Sequence, residues 1–179
     1  MRQFFLIVLL GMALVPAMAQ NQQHQHGQCG HSCGNCPHHQ AQKQQPKTIN
    51  GIAAEIVRVF PDARGIQTKG QWVSVYNASK KLLGYVVYSK PASNGIVGYN
   101  GETPLLIAFT PNQKILSVTL LENRETPSYL NRINEAGLLK SWNGLKAKKA
   151  RKKKVDTVSG ATYSSRSIIQ TLQAALKSL

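Results

Sequence analysis

The stretch Asp156-Thr157-Val158-Ser159-Gly160-Ala161-Thr162-Tyr163-Ser164-Ser165 holds the residue types best suited to chemistry. It reads as a loop entering a helix, with Ser164 as N-cap and Ser165-Arg166-Ser167 in the first turn. Gly160 allows a backbone conformation closed to other residues, and Ala161 beside it keeps the side-chain wall low. Thr162 then presents a hydroxyl just ahead of a helix N-terminus, where free N–H groups and the positive end of the helix dipole favour an anion. A phosphate-bearing group joined to the Thr162 oxygen would be electrostatically at ease there. A plain capping loop uses the same residue types, and the stretch alone does not separate the two readings.

A second cluster lies near the N-terminus. Cys29, Cys33 and Cys36 are spaced C-x3-C-x2-C, among His24, His26, His31, His38 and His39. Thiolate and imidazole together suit a soft or borderline metal such as zinc or copper, with Cys29, Cys33, Cys36, His31 and His38 as candidate ligands. Disulfide formation is the competing reading, and three cysteines cannot all pair within one chain. The Cys spacing also occurs at iron–sulfur clusters, but nothing else in the chain resembles the enzymes that use it that way.

Residues 1–19 read as a secretory signal peptide. Arg2 precedes the apolar run Phe4–Val15, and Ala17-Met18-Ala19 supplies small residues ahead of expected cleavage before Gln20. That run is too short for a membrane anchor, which needs roughly 20 residues. The expected location is therefore outside the cytoplasmic membrane, in the periplasm or cell envelope, soluble or peripherally attached to the membrane. Residues 20–47 are rich in Gln and His and poor in aliphatics, so they should form a disordered tail. Residues 48–179 are left as one domain, long enough to bury a core of its own.

Within that domain, Ile49, Ile52, Ala53, Ile56, Val57 and Phe60 recur at helical spacing, ended by Pro61-Asp62. Strands are expected at Trp72–Asn77, Leu82–Ser89, Leu105–Phe109 and Ile115–Leu121, the last two as a hairpin through Thr110–Lys114. Ser128–Lys140 has helical spacing weakened by Gly137, and Ser164–Leu179 is apolar along one helical face. Helices at both ends and antiparallel strands between them argue an α+β fold, an antiparallel sheet flanked by helices.

The D-x-x-S-G-A-T-x-S pattern at Asp156–Ser164 resembles the flavinylation site of the FMN-binding domain family, which includes small subunits of Rnf-type and sodium-pumping NADH:quinone oxidoreductase complexes. Two further segments resemble that family in order. Gly98-Tyr99-Asn100-Gly101 precedes an apolar strand, and Glu122-Asn123-Arg124-Glu125-Thr126-Pro127 follows a strand and opens a helix. Together the three span about residues 49–179. The resemblance implies FMN esterified to Thr162 by a separate flavin transferase that uses FAD and Mg²⁺. It implies Asp156, Ser159, Gly160 and Ala161 as recognition elements and the floor under the phosphate. Gly98, Tyr99, Glu125 and Thr126 would lie near the flavin. Tyr99 and, less favourably, Trp142 are the aromatics offered to its ring. Glu125-Thr126-Pro127 also reads simply as a helix start, with Thr126 as cap and Pro127 at the first helical position.

The expected function is thus an exported flavoprotein that carries covalent FMN and passes electrons to a membrane or exported redox partner. It is expected to act as a carrier or redox-complex module rather than a free-standing enzyme. The chain departs from the large-complex subunits in its tail, its basic cluster and the lack of a spanning segment after the signal peptide, so a free-standing carrier fits better. The alternative is an exported metal-binding protein acting through the Cys/His tail. Lys and Arg number 22 against 7 Asp and Glu, with eight cations between Lys140 and Lys154. Export and the lack of interleaved aromatics exclude nucleic acid as their target. A solvated loop, or docking to an acidic redox partner or anionic headgroups, remains.

Overall fold

The computed structural model describes residues 48–179. The expected signal peptide, the tail and its Cys29, Cys33, Cys36, His31 and His38 lie outside the described residues.

Five strands form a simple antiparallel meander: β3 (Gly65–Lys69), β4 (Trp72–Tyr76), β5 (Leu82–Tyr88), β6 (Leu105–Phe109) and β7 (Ile115–Leu120). Ahead of it stand β1 (Thr48–Ile49), β2 (Ile52–Ala53) and the short helix α1 (Ala54–Val59). After it come α2 (Pro127–Glu135), a 3-10 turn (Leu138–Lys140), α3 (Ala147–Lys152) and the long helix α4 (Thr162–Lys177). The fold is α+β, with an antiparallel sheet flanked by helices.

Side chains alternate across a strand, and this sheet is covered on both faces. Leu105, Ile107 and Phe109 of β6 pack with Ile133 of α2, with Trp142, and with Ile168, Leu172 and Leu176 of α4. Leu106 and Ala108, pointing the other way, pack with Ile52, Ile56 and Phe60 around α1. All five residues of β6 are therefore buried, which explains why it reads as an unbroken apolar run.

The expected helix over Ile49–Phe60 forms only from Ala54 to Val59. Asn50 and Gly51 both take positive φ, 52° and 77°, and close a two-residue hairpin that pairs Ile49 with Ile52. Asn-Gly is the strongest short-range hairpin signal, and it overrides the apolar spacing here. Ile52, Ile56 and Phe60 still reach the core, whereas Ile49 is exposed. The helix expected over Ser128–Lys140 breaks at Gly137, whose φ of 67° places the left-handed residue that commonly follows a helix end. Strand β3 escaped sequence reading. It is an edge strand with four of its five residues exposed, so it carries no apolar alternation. The lysine run was also not seen as helical. In α3, Ala150 is buried and Ala147 partly so, three positions apart, while Lys149, Arg151 and Lys152 sit in the last turn, where the helix dipole favours cations.

One core contact predicts a pH dependence. Tyr88 is half-buried, and its hydroxyl donates to Glu55 Oε1 at 3.4 Å. Burial first, and then the Glu55 charge and hydrogen bond, push its pKa from 10.0 up to about 12. The fold therefore favours the neutral phenol. Its contribution to stability is fully present below pH 10 and is lost as pH rises from about 10 to about 12. Tyr88→Phe cannot lose a phenolic proton, so its unfolding midpoint should fall less steeply than the wild type's across that window. Parallel curves would show that Tyr88 is not coupled to folding.

Candidate functional site

Helix α4 begins at Thr162, with Ala161 as its N-cap. Ser164 is not the cap expected from sequence, because the Val158–Ala161 turn replaces a side-chain cap. Ala161 N–H donates to Val158 O at 3.0 Å. Val158 N–H donates to Ser165 Oγ at 3.0 Å, and Ser165 Oγ donates back to Ala161 O at 2.8 Å. Gly160 makes the turn with φ of 73°. No side chain caps α4, so the first-turn amides remain free to meet an acceptor from outside. Thr162 and Tyr163 are exposed there, while Ser164 and Ser165 point inward and are buried.

Ser164 Oγ donates to Glu125 Oε2. Glu125 is only 5% exposed, and its Oε1 accepts the N–H of Asn100 at 2.9 Å. Asn100 Nδ2 in turn donates to Thr126 Oγ1 at 3.0 Å. Glu125 thus ties the Gly98–Gly101 loop to the start of α4, and the three separated motifs meet around one carboxyl group. Gly98 is needed for this closeness. A Cβ there would stand 2.6 Å from Glu125 Oε1 and 2.8 Å from Ser167 Oγ, closer than packed atoms approach. Thr126 is the N-cap of α2 and Pro127 its first residue, as expected, but the Thr126 side chain makes no capping bond. It serves the Asn100 contact instead.

A pocket of about 240 Å³ opens at the same place. Tyr99, Tyr129, Gly160, Ala161, Thr162, Tyr163 and Ser164 line it. Tyr99 and Tyr129 meet edge to face, with ring centroids 5.3 Å apart at 85°. Tyr99 is 58% and Tyr163 66% exposed, so aromatic surface faces the opening.

Residues 98–177 match the model of the FMN-binding domain. That similarity runs from the Gly98 loop to the end of α4. The crystal structure of NqrC from Shewanella oneidensis is similar at 20% identity and a TM-score of 0.39, over 63% of this chain and 65% of that one. The chain thus spans slightly less than two thirds of that protein's length. No curated protein matches it.

Of the residues singled out in the sequence, the fold brings Tyr99, Gly160, Ala161 and Thr162 to one pocket. Glu125, Thr126 and Gly98 lie behind it as supports. Asp156 and Ser159 are exposed just upstream and do not line it. Trp142 is wholly buried among core residues, so it is not offered to a flavin ring.

Sequence reading missed Tyr129 and Arg132. They lie three positions apart on α2, on one side of the helix, and that spacing was the available signal. A Cβ on Gly160 would meet Arg132 Nη1 at 2.4 Å and Cζ at 3.2 Å. The guanidinium therefore rests where any other residue at 160 would put its side chain. Among the described residues the only ion pair is Lys90–Glu102, so Arg132 has no carboxylate partner there.

Proposed function

We propose that this chain is an exported flavoprotein that holds FMN as a phosphoester on Thr162 and passes electrons outside the cytoplasmic membrane. The observation that carries the proposal is the placing of Thr162. Its side chain is exposed at the first position of α4, at the mouth of a pocket lined by Tyr99 and Tyr129. The residues present fit the group. Free first-turn amides and the helix dipole would receive a phosphate oxygen, and the unpaired Arg132 guanidinium beside Gly160 would add charge-assisted hydrogen bonds. Tyr99 and Tyr129 offer faces and edges to an aromatic ring. When bound, FMN supplies the electron transfer, and the protein's part is to hold and orient it.

Attachment is a phosphoryl-group transfer. The Thr162 hydroxyl oxygen bonds to the phosphorus of the FMN half of FAD, AMP leaves, and the hydroxyl proton is released. A Mg²⁺-dependent flavin transferase would catalyse it, recognising the Asp156–Thr162 segment. That segment is accessible, since Asp156, Ser159, Gly160 and Thr162 are all exposed. Covalent linkage suits a protein outside the cytoplasm, where no cofactor pool refills an emptied site. The signal peptide expected over residues 1–19 supports export.

The test is to express the full chain with a flavin transferase, denature it and measure intact mass. The expected result is one added FMN unit and a band that stays fluorescent after denaturing electrophoresis. A bare chain under those conditions would refute the proposal and leave metal binding by the Cys/His tail as the next reading.

A further inference from the structure

We infer that the groove between α3 and the C-terminal half of α4 is a docking site for an acidic protein surface. Arg151 and Lys152 of α3, Gln170, Gln173, Ala174 and Lys177 of α4, and Ile96 line a groove of about 750 Å³. No carboxylate is among the lining. From residue 136 to 179 the chain carries ten Lys and Arg, and Asp156 is its only acid. The folding of α3 concentrates that charge. It turns its two alanines toward the core and leaves Lys148, Lys149, Arg151 and Lys152 exposed together. Like charges held this close repel one another, and no ion pair within the described residues relieves them. A negative partner surface would.

The groove shares its helix with Thr162. Gln170 to Lys177 lie about 12 to 22 Å along the axis from Thr162. Val97, next in the chain to the groove-lining Ile96, is exposed, as are Tyr99 and Tyr163 of the pocket. Exposed apolar and aromatic side chains among polar and charged ones are common at protein–protein contacts. A membrane fits less well. The groove is concave where a headgroup layer is flat, and the apolar side of α3 is turned inward, away from any acyl region. That the partner exchanges electrons rests on the flavin proposal; the docking itself does not.

The test separates the two by using protein without flavin. Binding of a fluorescently labelled octaglutamate peptide is compared with binding to vesicles of phosphatidylserine and phosphatidylcholine. Arg151→Glu/Lys152→Glu should weaken peptide binding about tenfold or more, and Arg151→Gln/Lys152→Gln by less, in the same direction. Arg58→Glu/Lys81→Glu makes the same change in net charge at exposed positions of α1 and the β4–β5 turn and should weaken binding less than about threefold. If the glutamate pair disturbs α3, the glutamine pair still decides. Equal loss in the control would reduce the effect to net charge and overturn the proposal. So would binding to vesicles but not to peptide, or to neither. None of these outcomes touches the flavin mass measurement.

Discussion

Thr162→Ala should abolish covalent flavin and leave a protein that folds as the wild type does. Alanine removes the only side-chain oxygen at that position, so no phosphoester can form. Thr162 is exposed at the first position of α4, and its side chain is in no hydrogen bond within the described residues. The stability change should therefore stay within about 0.5 kcal/mol, as at an ordinary surface site. Thr162→Ser keeps a hydroxyl and should keep partial attachment. The readout is the intact mass of each denatured variant after expression with the transferase, alongside its thermal midpoint. The neighbouring hydroxyls differ in their freedom to substitute. Ser164 is buried and donates to Glu125. Ser165 is buried and occupied by Val158 N–H and Ala161 O. Ser159 is exposed. FMN mass persisting on Thr162→Ala would refute the site and point first to Ser159.

The sequence made the centre of the sheet and the ends of the site legible, each for a physical reason. Burial on both faces writes β6 as Leu105–Phe109 without a polar residue, and the Ile/Leu stripe of α4 survives as period-3.6 spacing. Three short motifs, each tied to a backbone turn or helix start, marked Thr162, Glu125 and Gly98. What the sequence withheld depends on contacts made with other segments. Strand β3 exists because it pairs with β4, and its own residues are too exposed to show a pattern. Helix α3 exists because two alanines find a core, and the lysines around them read as loop. The role of Ser164 could not be read at all. Its place eight residues after Asp156 suggested a cap, whereas its hydroxyl is spent on a carboxyl group 39 positions away. Arg132 escaped for the same reason, since its neighbour Gly160 stands across the fold rather than along the chain.

That carboxyl group should be the most sensitive polar point of the domain. Glu125→Ala removes the acceptor for Asn100 N–H and for Ser164 Oγ together, and empties the space that Gly98 packs against. The buried Ser164 hydroxyl left without its acceptor costs about 1–3 kcal/mol, and the part-buried Asn100 N–H costs less. A total loss of about 2–4 kcal/mol is expected, which lowers Tm by roughly 5–15 °C in a domain of this size. Glu125→Gln should recover most of it. Its amide oxygen can still accept from Asn100, and the Ser164 hydroxyl can turn to accept from the new NH2 group. Ser164→Ala/Glu125→Ala should cost less than the two single changes added, because the second substitution removes a donor already orphaned by the first. Attachment should fall as well, though not to zero, because Thr162 keeps its hydroxyl while the Gly98–Gly101 loop that carries Tyr99 loses its tie. Calorimetry of the wild type and the four variants, with their denatured masses, measures both effects. A Glu125→Ala midpoint within about 2 °C of the wild type, or strictly additive costs in the double variant, would mean that Glu125 does not join the loop to α4 and that the pocket wall is held by other contacts.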